Sequence, residues 1–449
     1  MQNSALELGE KPIGQLLAKY ALPAIAAMVA SSLYNMVDRI FIGQGVGALA
    51  ISGLAVTFPL MNLSAAFGAM VGVGGSTVLS VKLGQHDYKT AQTVLGNVTT
   101  LNILMGVIFG AVTLLFLDPI LLFFGASDQT LPYAREYMWW ILIGNTITHL
   151  YFGQNAVLRS AGYPLRSMMC TILTVVLNAI LDPIFIYVFR MGIEGAAIAT
   201  VLSQTVSLIW QLRMLSNPHE LLHFRRGIYR LRPRLVREIL SIGMSPFMMN
   251  SCACLVVIAI NRQMYAYGGD LAVGAFGLNH SIVFMFVMIV MGINQGMQPI
   301  SGYNYGARKM DRVRSVFLLS TAYASLITIA CFICGEFCPE IMFRLFTSDP
   351  TLIEMSVHGM RYNVAVFPVI GFQMVTTALF VSIGRAGVSI FLSLTRQMLY
   401  LLPCILILPS FLALDGVWLS LPISDFIAFL TSLAFLWWES KRNNTPNPA

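Results

Sequence analysis

The sequence predicts an all-α integral membrane protein of twelve transmembrane helices, arranged as two pseudo-symmetric six-helix lobes. Three observations carry this. Hydrophobic residues make up 57% of the 449 and charged residues only 10%, against about 25% charged in a soluble domain. Twelve apolar stretches follow one another, each near the ~20 residues a span requires. Finally, the chain aligns with itself at an offset of about 220–223 residues.

The first observation fixes the solvent. A chain so poor in charge, with a mean hydropathy of +0.74, cannot coat a water-facing surface, so its partner is the lipid bilayer. The net charge of +7 does not point to nucleic acid, because the basic residues sit in short runs between apolar stretches without aromatic interleaving. Met1 to Lys11 is polar and mixed in charge, so insertion is expected to rely on the first span. The seven cysteines lie in or beside apolar segments. Cys331, Cys334 and Cys338 share a helical face but have no ligand partners at metal-site spacing, which favours packing.

The spans come in two sets. The first runs near Tyr20–Val37, Leu49–Val71, Val98–Leu117, Tyr137–Leu158, Ser167–Phe189 and Gly195–Leu212. The second runs near Ile239–Asn261, Leu271–Ile293, Val316–Gly335, Asn363–Gly384, Gly387–Leu412 and Gly416–Trp438. An even count puts both termini on one side. Alternate loops collect the basic residues: Lys82 and Lys89; Arg159 and Arg166; the central run Arg225, Arg226, Arg230, Arg232, Arg234 and Arg237; Arg308, Lys309, Arg312 and Arg314; then Lys441 and Arg442. The intervening loops are short or acidic. The positive-inside rule therefore assigns both termini of this multi-pass protein to the cytoplasm.

The self-alignment pairs Pro23 with Pro246, Asp38-Arg39 with Asn261-Arg262, Gly84 with Gly306, Pro119 with Pro339, Ser127-Asp128 with Ser348-Asp349, and Gly162 with Gly384. Six spans per half make the halves parallel repeats about an axis along the membrane normal. The expected organisation is an N-lobe at 1–215, a cytoplasmic linker at 216–236 and a C-lobe at 237–449. Two similar bundles can rock against one another, which suits alternating access by a transporter. Neither a nucleophile–base pair nor a metal motif suggests an enzyme.

Charge at membrane depth costs about 2.5–3.5 kcal/mol on insertion scales, so the acids within spans are candidate functional residues. Asp38 ends the first span, one turn after Tyr34 and Asn35. Asp182 lies in the fifth, before Pro183 and one turn after Asn178. Thr200 is in the sixth, and Gln154 and Asn155 are in the fourth. These groups could meet in the N-lobe as a hard-cation or proton site; the alternative is that Asp38 pairs with Arg39 while Asp182 bonds backbone freed by Pro183. The C-lobe has Asn261 and Cys404 near the corresponding places. It carries Arg396 and Asp425 instead, either an ion pair or a substrate or gating contact, together with Gln295 and Gln298 in the kinkable stretch Asn294–Pro299. Gly72, Gly74 and Gly75 read as hinges or close helix contacts. A methionine cluster including Met244, Met248, Met285 and Met291 could adapt to varied ligands, and His149 and His280 read as bonded packing residues.

Several stretches carry a family resemblance: Ala21-Leu22-Pro23, Tyr34-Asn35-Met36-Val37-Asp38, Asn178-Ala179-Ile180-Leu181-Asp182-Pro183, and Gly292 to Pro299 followed by Tyr303-Asn304-Tyr305-Gly306-Ala307. Across nearly the whole length the chain resembles a multidrug and toxic compound extrusion (MATE) transporter of the DinF-like bacterial branch. The resemblance implies the MATE fold, with two lobes forming a V. It also implies export of organic cations or amphipathic drugs in exchange for inward Na⁺ or H⁺, with no other cofactor and no metal beyond Na⁺. The coupling-ion site falls on Asp38, Asn178, Asp182 and Thr200, with Pro23 as the bending point of the first helix. A monomer is expected. The competing reading is a flippase or exporter of a lipid-linked or other amphipathic metabolite, which would call for more cavity arginines than Arg39, Arg262 and Arg396 provide.

Overall fold

A computed structural model describes residues 6–46, 48–344 and 349–444, and among these no strand occurs. Lipid offers no hydrogen bonds to backbone, so each apolar stretch satisfies its own as a helix. After a 3-10 turn at Leu6–Gly9, the first half comprises α1 (Ile13–Gly45), α2 (Ala48–Gly84), α3 (Tyr88–Leu115), short α4 (Leu117–Phe123), α5 (Leu131–Ile143), α6 (Asn145–Ser160), α7 (Pro164–Pro183) and α8 (Gly192–Leu215). The second half comprises α9 (Pro233–Gly306), α10 (Met310–Phe337), short α11 (Pro339–Arg344), α12 (Pro350–Val364), α13 (Phe367–Ser382), α14 (Ala386–Leu394), α15 (Leu402–Ile407) and α16 (Pro409–Asn444). α9 holds two passes, separated where Gly269 takes φ 68°.

Ten described helices are long and apolar enough to cross a membrane, and α12 with α13 forms an eleventh pass bent by 54°. The fourth expected pass, Tyr137–Leu158, is where the structure departs from a simple span. It is two helices meeting at Gly144, and α6 buries Asn145, His149, Gln154 and Asn155. Those groups find partners inside the bundle: Ser64 Oγ donates to Asn145 Oδ1 at 2.6 Å, Asn145 Nδ2 to the Gly106 carbonyl at 3.1 Å, and Gln154 Nε2 to Thr99 Oγ1 at 2.8 Å. A helix wrapped by α2, α3 and α8 can carry polar residues that a lipid-facing one could not. The first helix is also longer than the expected Tyr20–Val37, and it continues through Pro23 with no non-helical residue.

The repeat is visible in detail. His86 and Arg308 both adopt positive φ, 60° and 58°, and Gly162 and Gly384 do the same at 102° and 75°. The backbone bonds around them correspond: His86 N to Leu83 O matches Arg308 N to Tyr305 O, and Gly162 N to Arg159 O matches Gly384 N to Val381 O.

The apolar cores show how the lobes meet. The largest joins both halves, with Leu16, Val71, Leu79 and Leu83 packed among Ile239, Ile293, Ile300 and Val316, all towards the ends that bear the basic loops. Among the described residues the cores at the other end are separate. One draws only on residues of the first half, such as Ile42, Leu121 and Ile193, and two others only on the second, such as Met264 with Trp418 and Phe343 with Phe367. The lobes are therefore fused at the basic end and independent at the acidic end, a V.

The fused end depends on glycines, because backbones there nearly touch. A Cβ on Gly84 would lie 1.9 Å from the Tyr303 carbonyl oxygen, and one on Gly306 would lie 2.1 Å from that of Val81. Those two positions are repeat equivalents facing one another across the pseudo-twofold axis. A Cβ on Gly74 would lie 2.0 Å from Ile239 O, and one on Gly243 would lie 1.8 Å from Met70 O. The Leu6–Gly9 turn caps this end: Asn304 Nδ2 donates to Leu8 O at 2.9 Å, Lys309 Nζ to Gly9 O at 2.9 Å and Arg312 Nη2 to Lys11 O at 2.6 Å.

Candidate ion and substrate site

Two i, i+4 pairs build the N-lobe cluster, because residues four apart share a helical face. On α7, Asn178 Nδ2 donates to Asp182 Oδ1 at 2.5 Å. Pro183 closes α7 and a wide π-helical turn, Ile184–Val188, follows, so Asp182 sits where the regular ladder ends. On α1, Tyr34 and Asp38 occupy one face. Thr200 of α8 bridges them: its hydroxyl donates to Asn178 Oδ1 at 3.2 Å and pairs with the Tyr34 hydroxyl at 3.1 Å. Asp38 is close enough to Asp182 and Tyr34 for direct electrostatic interaction. Asp182 is 0% exposed, Asn178 1% and Asp38 6%. Three helices thus bring Tyr34, Asp38, Asn178, Asp182 and Thr200 together, with Asp38, Asn178 and Asp182 buried and Tyr34 and Thr200 partly exposed. The Asn35 side chain lies outside the described residues.

Gln154 and Asn155 do not join them, contrary to the expectation of one N-lobe site. Gln154 is spent on Thr99. Asn155 Nδ2 donates to Ser167 O at 3.2 Å and Thr171 Oγ1 at 3.1 Å, and its Oδ1 accepts from Arg159 Nη1 at 3.2 Å. Thr171 precedes Asn178 by seven residues, about 10 Å along α7, so this is a second polar network nearer the basic end.

In the C-lobe, Arg396 Nε donates to Asp425 Oδ1 at 2.7 Å. The arginine lies in a π-helical turn, Thr395–Leu401, that follows α14. The two side chains form an ion pair within the C-lobe. Gln295 and Gln298 stand apart from it and face the other lobe. Gln298 Nε2 donates to Thr77 Oγ1 at 2.7 Å and lies 3.3 Å from Ser76 Oγ, and Gln295 Nε2 approaches Met28 Sδ at 3.5 Å. These glutamines stitch the second pass of α9 to α2 and α1. The seam was not readable from sequence. Its signal, small and polar residues Gly74, Ser76, Thr77 and Ser80 recurring along α2, becomes specific only once the opposite lobe supplies Gln298 and Gly243.

Comparison with known proteins agrees with this architecture. The MatE family pattern matches residues 23–184 and again 246–406, two copies in the register of the internal repeat. The chain is 25% identical over 438 residues to the multidrug export protein MepA of Staphylococcus aureus (strain N315), covering 97% of this chain and 96% of that protein. The protein of that name from Staphylococcus haemolyticus (strain JCSC1435) is 25% identical over 422 residues, 94% of this chain and 93% of that protein. Among solved structures, the MATE multidrug transporter DinF-BH, in a complex with a ligand, is 35% identical, covers 96% of each chain and superposes with a TM-score of 0.89. An outward-facing MATE family transporter of the MOP superfamily superposes with a TM-score of 0.93 over 99% of each chain at 22% identity, a likeness of fold. The chain belongs to the MatE family, whose members are membrane transporters and not enzymes.

Proposed function

We propose that this protein is a secondary antiporter of the bacterial plasma membrane, exporting organic cations or amphipathic drugs in exchange for inward H⁺ or Na⁺. The observation that carries the reading is the cluster of two buried acids, Asp38 and Asp182, with Asn178, Thr200 and Tyr34. Carboxylate, amide and hydroxyl oxygens are hard donors suited to Na⁺, and the carboxylates equally accept a proton. Neutralising these acids lifts the cost of holding charge at membrane depth and so changes how α1 packs against α7 and α8. Pro23, about four turns from Asp38, is where α1 yields. Among the described residues the halves share a core only at the basic end, the end that the positive-inside rule places in the cytoplasm with both termini. The cavity of the V then opens outward, and Asp38 and Asp182 receive the external ion after the drug is bound from inside. Gln295, Gln298 and the Arg396–Asp425 pair act in closing the seam and holding the C-lobe.

The relatives are multidrug export proteins, so a fluorescent organic cation, ethidium, is the first cargo to test. In inverted vesicles, where efflux appears as ethidium uptake into the lumen, transport is measured with Na⁺ and pH gradients imposed separately. Asp38→Asn and Asp182→Asn are each expected to abolish gradient-driven efflux while ethidium still binds. Wild-type efflux by Asp38→Asn would show that coupling lies elsewhere.

A further inference from the structure

The stretch joining α8 to α9, residues 216–232, is not a loop hanging in water. It is laid along α3 and pinned there. Asn97 Nδ2 donates to the carbonyls of Ile228 at 3.3 Å and Arg230 at 3.1 Å, while its Oδ1 accepts from Arg232 N at 2.9 Å. Thr100 Oγ1 donates to Tyr229 O at 3.1 Å. A Cβ on Gly96 would come within 2.3 Å of Ile228 O, so the strap runs against the α3 backbone itself.

Its depth follows from α3. From Asn97 to Leu115 the helix rises about 27 Å, close to the ~30 Å of a hydrocarbon core. The exposed apolar side chains of α3 begin just past the strap, at Ile103, Leu104, Val107, Ile108, Val112 and Leu115. The strap therefore lies where lipid tails end and headgroups begin. At that level it exposes Arg226, Arg230 and Arg232, and the first turns of α9 expose Arg234 and Arg237. Tyr229, of a residue type enriched at membrane interfaces, and apolar Leu231 are exposed between them. Among the described residues none of these five guanidiniums takes part in an ion pair: Glu220, the nearest acid before them, is engaged by Tyr163 and by Arg166 at 2.9 Å.

We infer that the strap and the start of α9 form a preordered docking surface for the phosphate headgroups of anionic phospholipids, with Arg226, Arg230, Arg232, Arg234 and Arg237 as the binding residues. Guanidinium forks match phosphate oxygens, and each basic residue held at a membrane surface adds to the attraction for anionic lipid. Because Asn97 and Thr100 fix the strap backbone, no loop has to be ordered on binding, and only the arginine side chains lose freedom. The inference rests on membrane insertion alone, not on the transport reading, and its test involves no transport.

The full-length protein is purified in neutral detergent and titrated with phosphatidylglycerol or phosphatidylcholine of the same acyl chains, with retained lipid counted by native mass spectrometry. Wild type is expected to prefer phosphatidylglycerol by roughly tenfold or more. The variant R226Q/R230Q/R232Q/R234Q/R237Q is expected to lose that preference, whereas K82Q/K89Q/R213Q, which removes three basic side chains elsewhere on the same end, keeps it. Thermal unfolding in neutral detergent checks that both variants fold; if the fivefold variant does not, R226Q/R230Q and R234Q/R237Q are expected each to give a partial loss. Equal retention of the two lipids by wild type, wild-type preference in the arginine variants, or an equal loss in K82Q/K89Q/R213Q would each overturn the proposal.

Discussion

Gly243 offers the sharpest test of the seam. Its neighbour is a backbone carbonyl, Met70 O, 1.8 Å from where an alanine Cβ would stand. Side chains can rotate away; a helix backbone in a shared core cannot. Gly243→Ala therefore forces the first pass of α9 and α2 apart by more than an ångström. Overpacking of this kind costs about 1–3 kcal/mol, which displaces a two-state equilibrium by about 5- to 150-fold. Only the arrangement with the seam closed bears that cost. The readout is backbone hydrogen exchange of the purified protein. Peptides covering residues 66–84 and 233–245 should lose protection by about that factor, while those covering 117–142, in the separate N-lobe core, should not change. Gly277→Ala is the control, since nothing lies within 4 Å of its Cβ and alanine favours a helix over glycine. Unchanged protection in residues 66–84 of a folded Gly243→Ala protein would refute the account of the seam.

Asn97→Ala removes the bonds that hold the strap, worth about 1 kcal/mol each, so trypsin should cut at Arg226 and Arg230 several-fold faster than in wild type; cutting at the wild-type rate would mean that other contacts hold it. At the N-terminus, the Glu7 carboxylate accepts from Lys19 at 2.7 Å and pairs with Lys11 at 2.9 Å, and these two partners, Lys19 first, hold it below the usual carboxylate range. A lowered folded value means that its contribution is present above the unfolded value of about 4.3 and lost as pH falls through the folded one. The protection factors of residues 6–11, taken against intrinsic exchange at each pH, should therefore fall as pH drops below about 4.3, and Glu7→Gln should show low protection at every pH. Asp87, lowered by bonds from Thr90, contributes to global acid sensitivity with the same sign, so Glu7→Gln should reduce that sensitivity and leave part of it.

Much of the site was legible beforehand because its logic is one-dimensional. Tyr34 with Asp38 and Asn178 with Asp182 are i, i+4 pairs, and any helix puts them on one face. That Thr200 closes the gap between the two pairs depends on how α8 packs. Gln154 and Asn155 have the same residue chemistry and lie in the same half, yet their partners on α3 and α7 divert them to another network. The fourth pass was legible as apolar on average; its break at Gly144 and its buried polar face make sense only with α2, α3 and α8 around it.

By itself the sequence determined that this chain lives in lipid, how many times it crosses, that it is built twice, and which helical faces carry acids. Those properties follow from local composition and from a periodicity the backbone imposes on any helix. Only the tertiary structure decided that the lobes fuse at one end and part at the other, that Gly74, Gly84, Gly243 and Gly306 are the contacts of that fusion, and that the basic stretch between lobes is strapped to α3. Each of these depends on residues some 130 to 225 positions apart meeting at atomic distance, and whether a glycine is a hinge, a turn or a point of contact is set by what stands opposite it.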